Sequence, residues 1–217
     1  METIYAMVAF FQKGGVFMYP ILLVFAFGMA IAVERWIHLV RVEGANRKMW
    51  EQVYPLLSDN EFDQARELVN EDKSTVAQML SMGLARQGAV RRREDIEIAM
   101  EESMMEIIPQ LERRTPYIAL LSNIATLLGL LGTIMGLIQA FTAVANANPA
   151  EKADLLSASI STAMNTTAFG LIVAIPLLLF HAKLTSTTGH IVDSLEMASV
   201  KALNIISNTS KRRTEMS

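Results

Sequence analysis

Ser159, Thr162, Asn165 and Thr166 lie on one side of an ideal helix, inside the block Leu155 to Ala182 that contains no Asp, Glu, Lys or Arg. Hydroxyl and amide groups in this pattern can line a hydrated path or hydrogen-bond a carboxylate, but they do not ionise near neutral pH. So polar a face is unsuited to lipid, which offers no hydrogen-bonding partner. A second reading is purely structural: the hydroxyls bond back to the carbonyl four residues earlier and the amide bonds a neighbouring helix, at about 0.6 kcal/mol per contact. Thr167 sits about 100° round from Thr166, on the flank that carries Gly170 and Ala174. In an earlier apolar block, Gly129, Gly132, Thr133, Gly136 and Ala140 recur in steps of three or four. That face has little side-chain bulk and lets another helix approach its backbone closely. Gly129, Gly132, Gly136 and Gly170 are therefore read as packing positions, and Thr133 as the member with a polar atom to offer.

The chemistry that is missing narrows the function. Ion-coupled machines place a carboxylate, lysine or histidine within the bilayer because such a group can change charge as the ion passes. This chain has none at mid-depth, so if ions drive it, another chain must bring the titrating group. Glu34 comes nearest, and its place beside Arg35 at the edge of an apolar block indicates an ion pair or a snorkelling charge. His181 reads as interfacial. The chain has no cysteine, and no Ser/His/Asp set, metal-ligand spacing or phosphate loop appears. The expectation is a protein that is not an enzyme, with no catalytic residue, metal or cofactor. A net charge of −3 gives no reason to expect nucleic-acid binding, and the run Arg91, Arg92 and Arg93 reads as a solvated face.

Three uncharged blocks must position these groups: Val16 to Val33, with apolar character resuming at Trp36; Tyr117 to Ala145; and Leu155 to Ala182. The latter two each exceed the roughly 20 residues that cross the hydrocarbon core, and the first reaches that length through Val40. The start of the chain lacks the pattern of a cleaved secretory signal, so the first block is expected to be retained. Basic residues mark the cytoplasmic side: Arg35, Arg41, Arg47 and Lys48 follow the first block, Arg113 and Arg114 precede the second, and Lys183 follows the third.

The expected architecture is an all-α membrane protein, N-terminus outside and C-terminus inside, with three transmembrane helices and long cytoplasmic helical extensions. Its layout is a periplasmic N-terminal segment at 1–15, transmembrane helix 1 at 16–40, a cytoplasmic helical segment at 41–115, transmembrane helix 2 at 116–146, a periplasmic loop at 147–154, transmembrane helix 3 at 155–182, and a cytoplasmic C-terminal helix and tail at 183–217. Within the cytoplasmic segment, helical spacing appears in Glu61 to Asn70, Ser74 to Ala89 and Glu94 to Ile108. Ser58 or Asp59 is the expected N-cap of the first, and Ser74 of the second. Ile96, Ile98, Met100, Met104, Met105 and Ile107 form a broad apolar face for packing. After the third block, Ile191, Leu195, Ala198, Ala202, Leu203 and Ile206 carry helical spacing onward to the basic Lys211, Arg212 and Arg213.

Two longer motifs, Leu127-Leu-Gly-Leu-Leu-Gly-Thr-Ile-Met-Gly-Leu137 and Ile160-Ser-Thr-Ala-Met-Asn-Thr-Thr-Ala-Phe-Gly-Leu-Ile-Val-Ala-Ile-Pro176, resemble the paired signature of the MotA/TolQ/ExbB proton-channel family. Three spans point to its ExbB/TolQ branch. The resemblance implies a homopentamer in the inner membrane of a Gram-negative bacterium, enclosing the single membrane helices of two copies of an ExbD- or TolR-like partner whose aspartate carries the proton. It further implies work on a TonB- or TolA-like protein, as in TonB-dependent transport. The family's pore threonines map onto Thr133 and Thr167, whereas helix geometry favours Thr162 and Thr166 together with Asn165; the two routes agree on the helix and differ in angle. Many family members carry glutamate where this chain has Thr162. The alternative is a non-conducting membrane scaffold whose cytoplasmic helices dock a soluble partner.

Overall fold

The computed structural model describes residues 10–11, 14–87 and 93–215, with side chains from Asn146 and from residue 209 onward left aside. Most of the segment at 1–15, together with Arg91 and Arg92, lies outside the described residues, as do the side chains of Lys211, Arg212 and Arg213. Among the described residues six helices follow in order: α1 Met18–Ser58, α2 Phe62–Glu71, α3 Thr75–Arg86, α4 Arg93–Glu112, α5 Thr115–Asn146 and α6 Lys152–Glu215. Three stretches, within Met18–Ser58, Arg93–Ala145 and Lys152–Asn208, are long and apolar enough to cross a membrane. Their most apolar windows bury only 22%, 28% and 33% of their residues within the chain. Helices this apolar with so much surface turned outward suit lipid or further protein, and not water.

The chain divides into two compact units, Met1–Glu34 with Arg114–Lys183, and Arg35–Arg113 with Leu184–Ser217. In the first, the buried positions recur at helical spacing: Met18, Ile21 and Ala32 on α1, Ile118, Ser122 and Ala125 on α5, and Ala163, Thr166, Val173, Ala174 and Leu177 on α6. Gly28 of α1 faces Leu177 so closely that an added Cβ would lie 2.7 Å from its Cδ2. Leu127, Phe141, Met164 and Leu179 point outward, each more than three-fifths exposed. α6 runs without a break through Pro176. Arg114 pairs with Glu34 at 3.2 Å, both about half exposed. The partner of Glu34 is therefore distant in sequence and not its neighbour Arg35.

The second unit is an ordinary helical core. Leu57, Met79, Leu80, Leu84, Met100 and Ile107 are fully buried or nearly so. α3 begins as its sequence demands: Ser74 Oγ accepts from the Ala77 amide at 3.3 Å, and Asn46 Oδ1, from α1, accepts from the Val76 amide at 3.2 Å. Two of the amides that a helix start leaves without partners are satisfied in this way. α2 departs from expectation, because Glu61 holds its N-cap position without a side-chain cap bond. Ser58 still belongs to α1, and the turn that follows is closed by backbone bonds from Asp59 to Pro55 and from Glu61 to Leu56. The broad face of α4 splits: Ile96, Met100, Met104 and Ile107 are buried, while Ile98 and Met105 turn outward. Arg93 donates to Asn204 Oδ1 at 3.0 Å.

Candidate functional site

The glycine positions of α5 lie against α6. A Cβ added at Gly129 would meet Gly170 Cα and Thr167 Cα, both at 3.3 Å; one at Gly132 would fall 2.4 Å from Thr166 Cγ2, and one at Gly136 2.7 Å from the Ala163 Cβ. From the other side, a Cβ at Gly170 would lie 2.8 Å from the Ala125 carbonyl oxygen. The helices thus pack backbone to backbone, as stripes of small residues permit inside a bilayer.

Hydroxyls fasten this seam. Thr167 of α6 donates to the Gly129 carbonyl of α5 at 2.9 Å, and Ser122 of α5 donates to the Ala174 carbonyl of α6 at 2.8 Å. Thr133 donates within its own helix, to the Leu130 carbonyl at 2.6 Å. Thr133 and Thr167 remain half-buried, so their oxygens sit at the margin of the seam.

Thr162, Asn165 and Thr166 meet different surroundings. Thr162 bonds back to the Ala158 carbonyl at 3.1 Å and stays half-buried. Thr166 is 2% exposed; it shares its proton between the Thr162 carbonyl at 3.0 Å and the Gly14 carbonyl at 2.5 Å. Gly14 and Gly15 therefore lie over this part of α6. Gly15 adopts a φ of +75°, a conformation that glycine takes readily and other residues do not, and a Cβ there would stand 3.3 Å from Thr162 Cγ2. The adjoining Phe11 packs edge-on against Phe169, ring centroids 5.7 Å apart. Asn165 is half-buried on the far side of α6 from Thr167, since two residues turn a helix by about 200°. Sequence reasoning placed Thr166 on a polar face but had no means of finding Gly14, 152 positions away, as its partner. It likewise passed over Ser122, whose signal was a hydroxyl three residues before the buried Ala125 of α5.

The site offers neutral hydroxyl oxygens and an amide beside a tightly closed seam, in a unit whose α5 and α6 cores carry no formal charge between Tyr117 and Ala145 or between Leu155 and Ala182.

Comparison with known proteins supplies the context for such a site. The chain is 27% identical over 170 residues to a Synechocystis protein named as a biopolymer transport protein, ExbB-like 3, covering 78% of this chain and 80% of that one. It is 28% identical over 197 residues to an ExbB homolog of Methanothermobacter thermautotrophicus, covering 86% and 66%. The Tol-Pal system protein TolQ of Haemophilus influenzae is 33% identical over 87 residues, 40% of this chain and 38% of that one. The profile of the MotA/TolQ/ExbB proton channel family matches residues 71–197, a stretch that takes in α4, α5, the hydroxyl seam and most of α6, and by that match this multi-pass membrane protein belongs to the MotA/TolQ/ExbB proton channel family, in its ExbB/TolQ branch.

Proposed function

We propose that this chain is the ring-forming subunit of a proton-motive-force-driven motor in the bacterial inner membrane. Five copies, N-terminus outside and C-terminus inside, enclose an ExbD- or TolR-like single-span partner whose membrane aspartate carries the proton. Thr133 and Thr167 line the path first, and Thr162, Thr166 and Asn165 belong to the other polar face of α6. Alternate neutralisation and ionisation of the partner's aspartate drives its movement within the ring, and a TonB- or TolA-like protein carries that work to a periplasmic or outer-membrane process such as TonB-dependent transport. A potential of 100 mV supplies about 2.3 kcal/mol per charge moved, enough to bias such a step. On this reading the chain is a coupling subunit, not an enzyme, and it needs no cofactor.

One observation carries the reading: three apolar spans of a proton-channel family member hold hydroxyls but no ionisable group at mid-depth. The titrating group must then come from elsewhere. The test is to express the chain with the products of adjacent genes, purify the complex and reconstitute it in vesicles under an imposed pH gradient. A short single-span chain with a membrane aspartate should co-purify, and gradient-driven work should require both chains and fall sharply in Thr133→Ala and Thr167→Ala. The chain alone coupling a gradient to motion would refute the division of labour between the two chains, whereas a complex that does no gradient-driven work, with both variants fully active, would favour the scaffold.

A further inference from the structure

In the second unit, Ser199 of α6 donates to the Met100 sulfur of α4 at 3.8 Å, and Arg93 of α4 reaches Asn204 of α6, so the two helices run antiparallel. Two residues turn a helix by about 200°. Ile98 therefore points away from α6 and Met197 away from α4, which gives the pair two opposite flanks. Both are apolar and open: Ile98 is 48% exposed and Met197 54%, while Met105, on the stripe of Ile98, is 72% exposed. At 1.5 Å per residue, Met197 stands about 3 Å along the axis from the Met100–Ser199 bond. That is level with the gap between Ile98, about 3 Å to one side of the bond, and Met105, about 7.5 Å to the other.

The flanks differ in charge. The stripe of Ile98 and Met105 also carries the exposed Glu94, Glu101 and Glu102, and α4 has no Lys or Arg after Arg93. Met197 instead lines a cleft with Arg47 and Trp50 of α1, Val76 of α3 and His190 of α6. Arg47 is exposed and has no ion pair among the described residues, and the same holds for Glu101, whereas Glu102 already pairs with Arg86. Lys48 and Glu51 flank Trp50 in sequence, so hydrocarbon does not cover this cleft. A closed ring needs two different, complementary patches on each subunit, and rotation about the ring axis leaves height along that axis unchanged. These two flanks meet both conditions.

We propose that the acidic α4 stripe of one copy seats in the α1–α6 cleft of the next, with Met197 entering between Ile98 and Met105 and Arg47 pairing with Glu101. The occupant is a second copy of this chain, and the cleft is incomplete without it. The proposal deepens the ring of the motor reading by naming its contact outside the bilayer, and it requires neither a proton nor a partner chain.

The chain has no cysteine, so introduced thiols report without background. The full chain carrying both Ile98→Cys and Met197→Cys, in membranes with the products of adjacent genes, is treated with a short bis-maleimide and resolved by mass. The double variant should give a ladder of covalent multimers up to the whole ring, and either single variant monomer alone, because each face meets the other and not itself. A dimer from a single variant would show a two-fold contact and overturn the proposal, as would a double variant that stays monomeric or links only to another protein. Should the thiol variants fail to accumulate, Arg47→Glu and Glu101→Arg are read by native mass spectrometry of the solubilised chain. Each should weaken the contact by up to about fivefold at low salt, and the two combined should restore the ring fraction; no recovery would overturn the pairing and the proposal with it. Rings that cross-link but do no gradient-driven work would sink the motor reading and leave this proposal standing, whereas a working motor without the cross-link would do the reverse.

Discussion

Gly170→Ala isolates the steric demand of the α5–α6 seam in a single methyl group. The added Cβ would lie 2.8 Å from the Ala125 carbonyl oxygen and 3.1 Å from Gly129 Cα, both of them backbone atoms that cannot swing aside. Either α5 moves away or the site stays strained, and overpacking of this kind costs about 1–3 kcal/mol. Movement of α5 also stretches the bond from Thr167 to the Gly129 carbonyl, a membrane contact worth about 0.6 kcal/mol. Against this stands the helix preference for alanine over glycine, about 1 kcal/mol. Gly189 gives the reference, since it lies within α6 and a Cβ there meets nothing within 4 Å. Gly189→Ala should therefore stabilise by up to about 1 kcal/mol, and the gap between the two variants should be roughly 1.5–3.5 kcal/mol. The assay is unfolding in mixed detergent micelles with increasing dodecyl sulfate, followed by helical circular dichroism. Equal midpoints for Gly170→Ala and Gly189→Ala would refute backbone contact at this seam.

Other outcomes follow from the same packing. Asn46→Ala should cost about 1–2 kcal/mol and speed hydrogen exchange at the Val76 amide, which loses its acceptor on Asn46; exchange resolved by mass spectrometry checks this, and an unchanged Val76 peptide would count against the cap. Leu80→Ala, at a position 1% exposed, should cost about 2–5 kcal/mol in thermal or denaturant unfolding. Glu34→Gln should change stability by less than about 1 kcal/mol, because its 3.2 Å pair with Arg114 is about half exposed on both sides; a larger loss would show that Glu34 has a buried role.

Burial patterns local to one helix were legible in the residues, and partners distant in sequence were not. The three apolar spans and the helix continuing past Lys183 follow from composition and spacing, as does the Ser74 cap. α1 runs on to Ser58 because bilayer thickness ends a span without ending a helix, and it continues through both Gly44 and Pro55. The break between α4 and α5 turns on Arg114 at a φ of +67°, a conformation usually announced by glycine or asparagine and here signalled only by Pro116. At the candidate site, periodicity gave Thr166 its angle on an isolated helix but not its neighbour. The Gly14 carbonyl fills that space, and no pattern within α6 encodes it. Pairing of Glu34 with Arg114 in place of Arg35 is the same lesson in charges: adjacency along a helix sends side chains about 100° apart.

Because α5 and α6 meet through glycines, the side-chain atoms nearest to Gly132 and Gly136 are methyl groups, those of Thr166 and Ala163. Separation is resisted along the whole length by close contact, whereas axial sliding passes only small bumps over smooth ground. The described hydroxyl ties across it, from Thr167 to Gly129 and from Ser122 to Ala174, together restrain such a slide by about 1.2 kcal/mol. On the motor reading, the work of one elementary charge falling through 100 mV, about 2.3 kcal/mol, exceeds what these two ties supply.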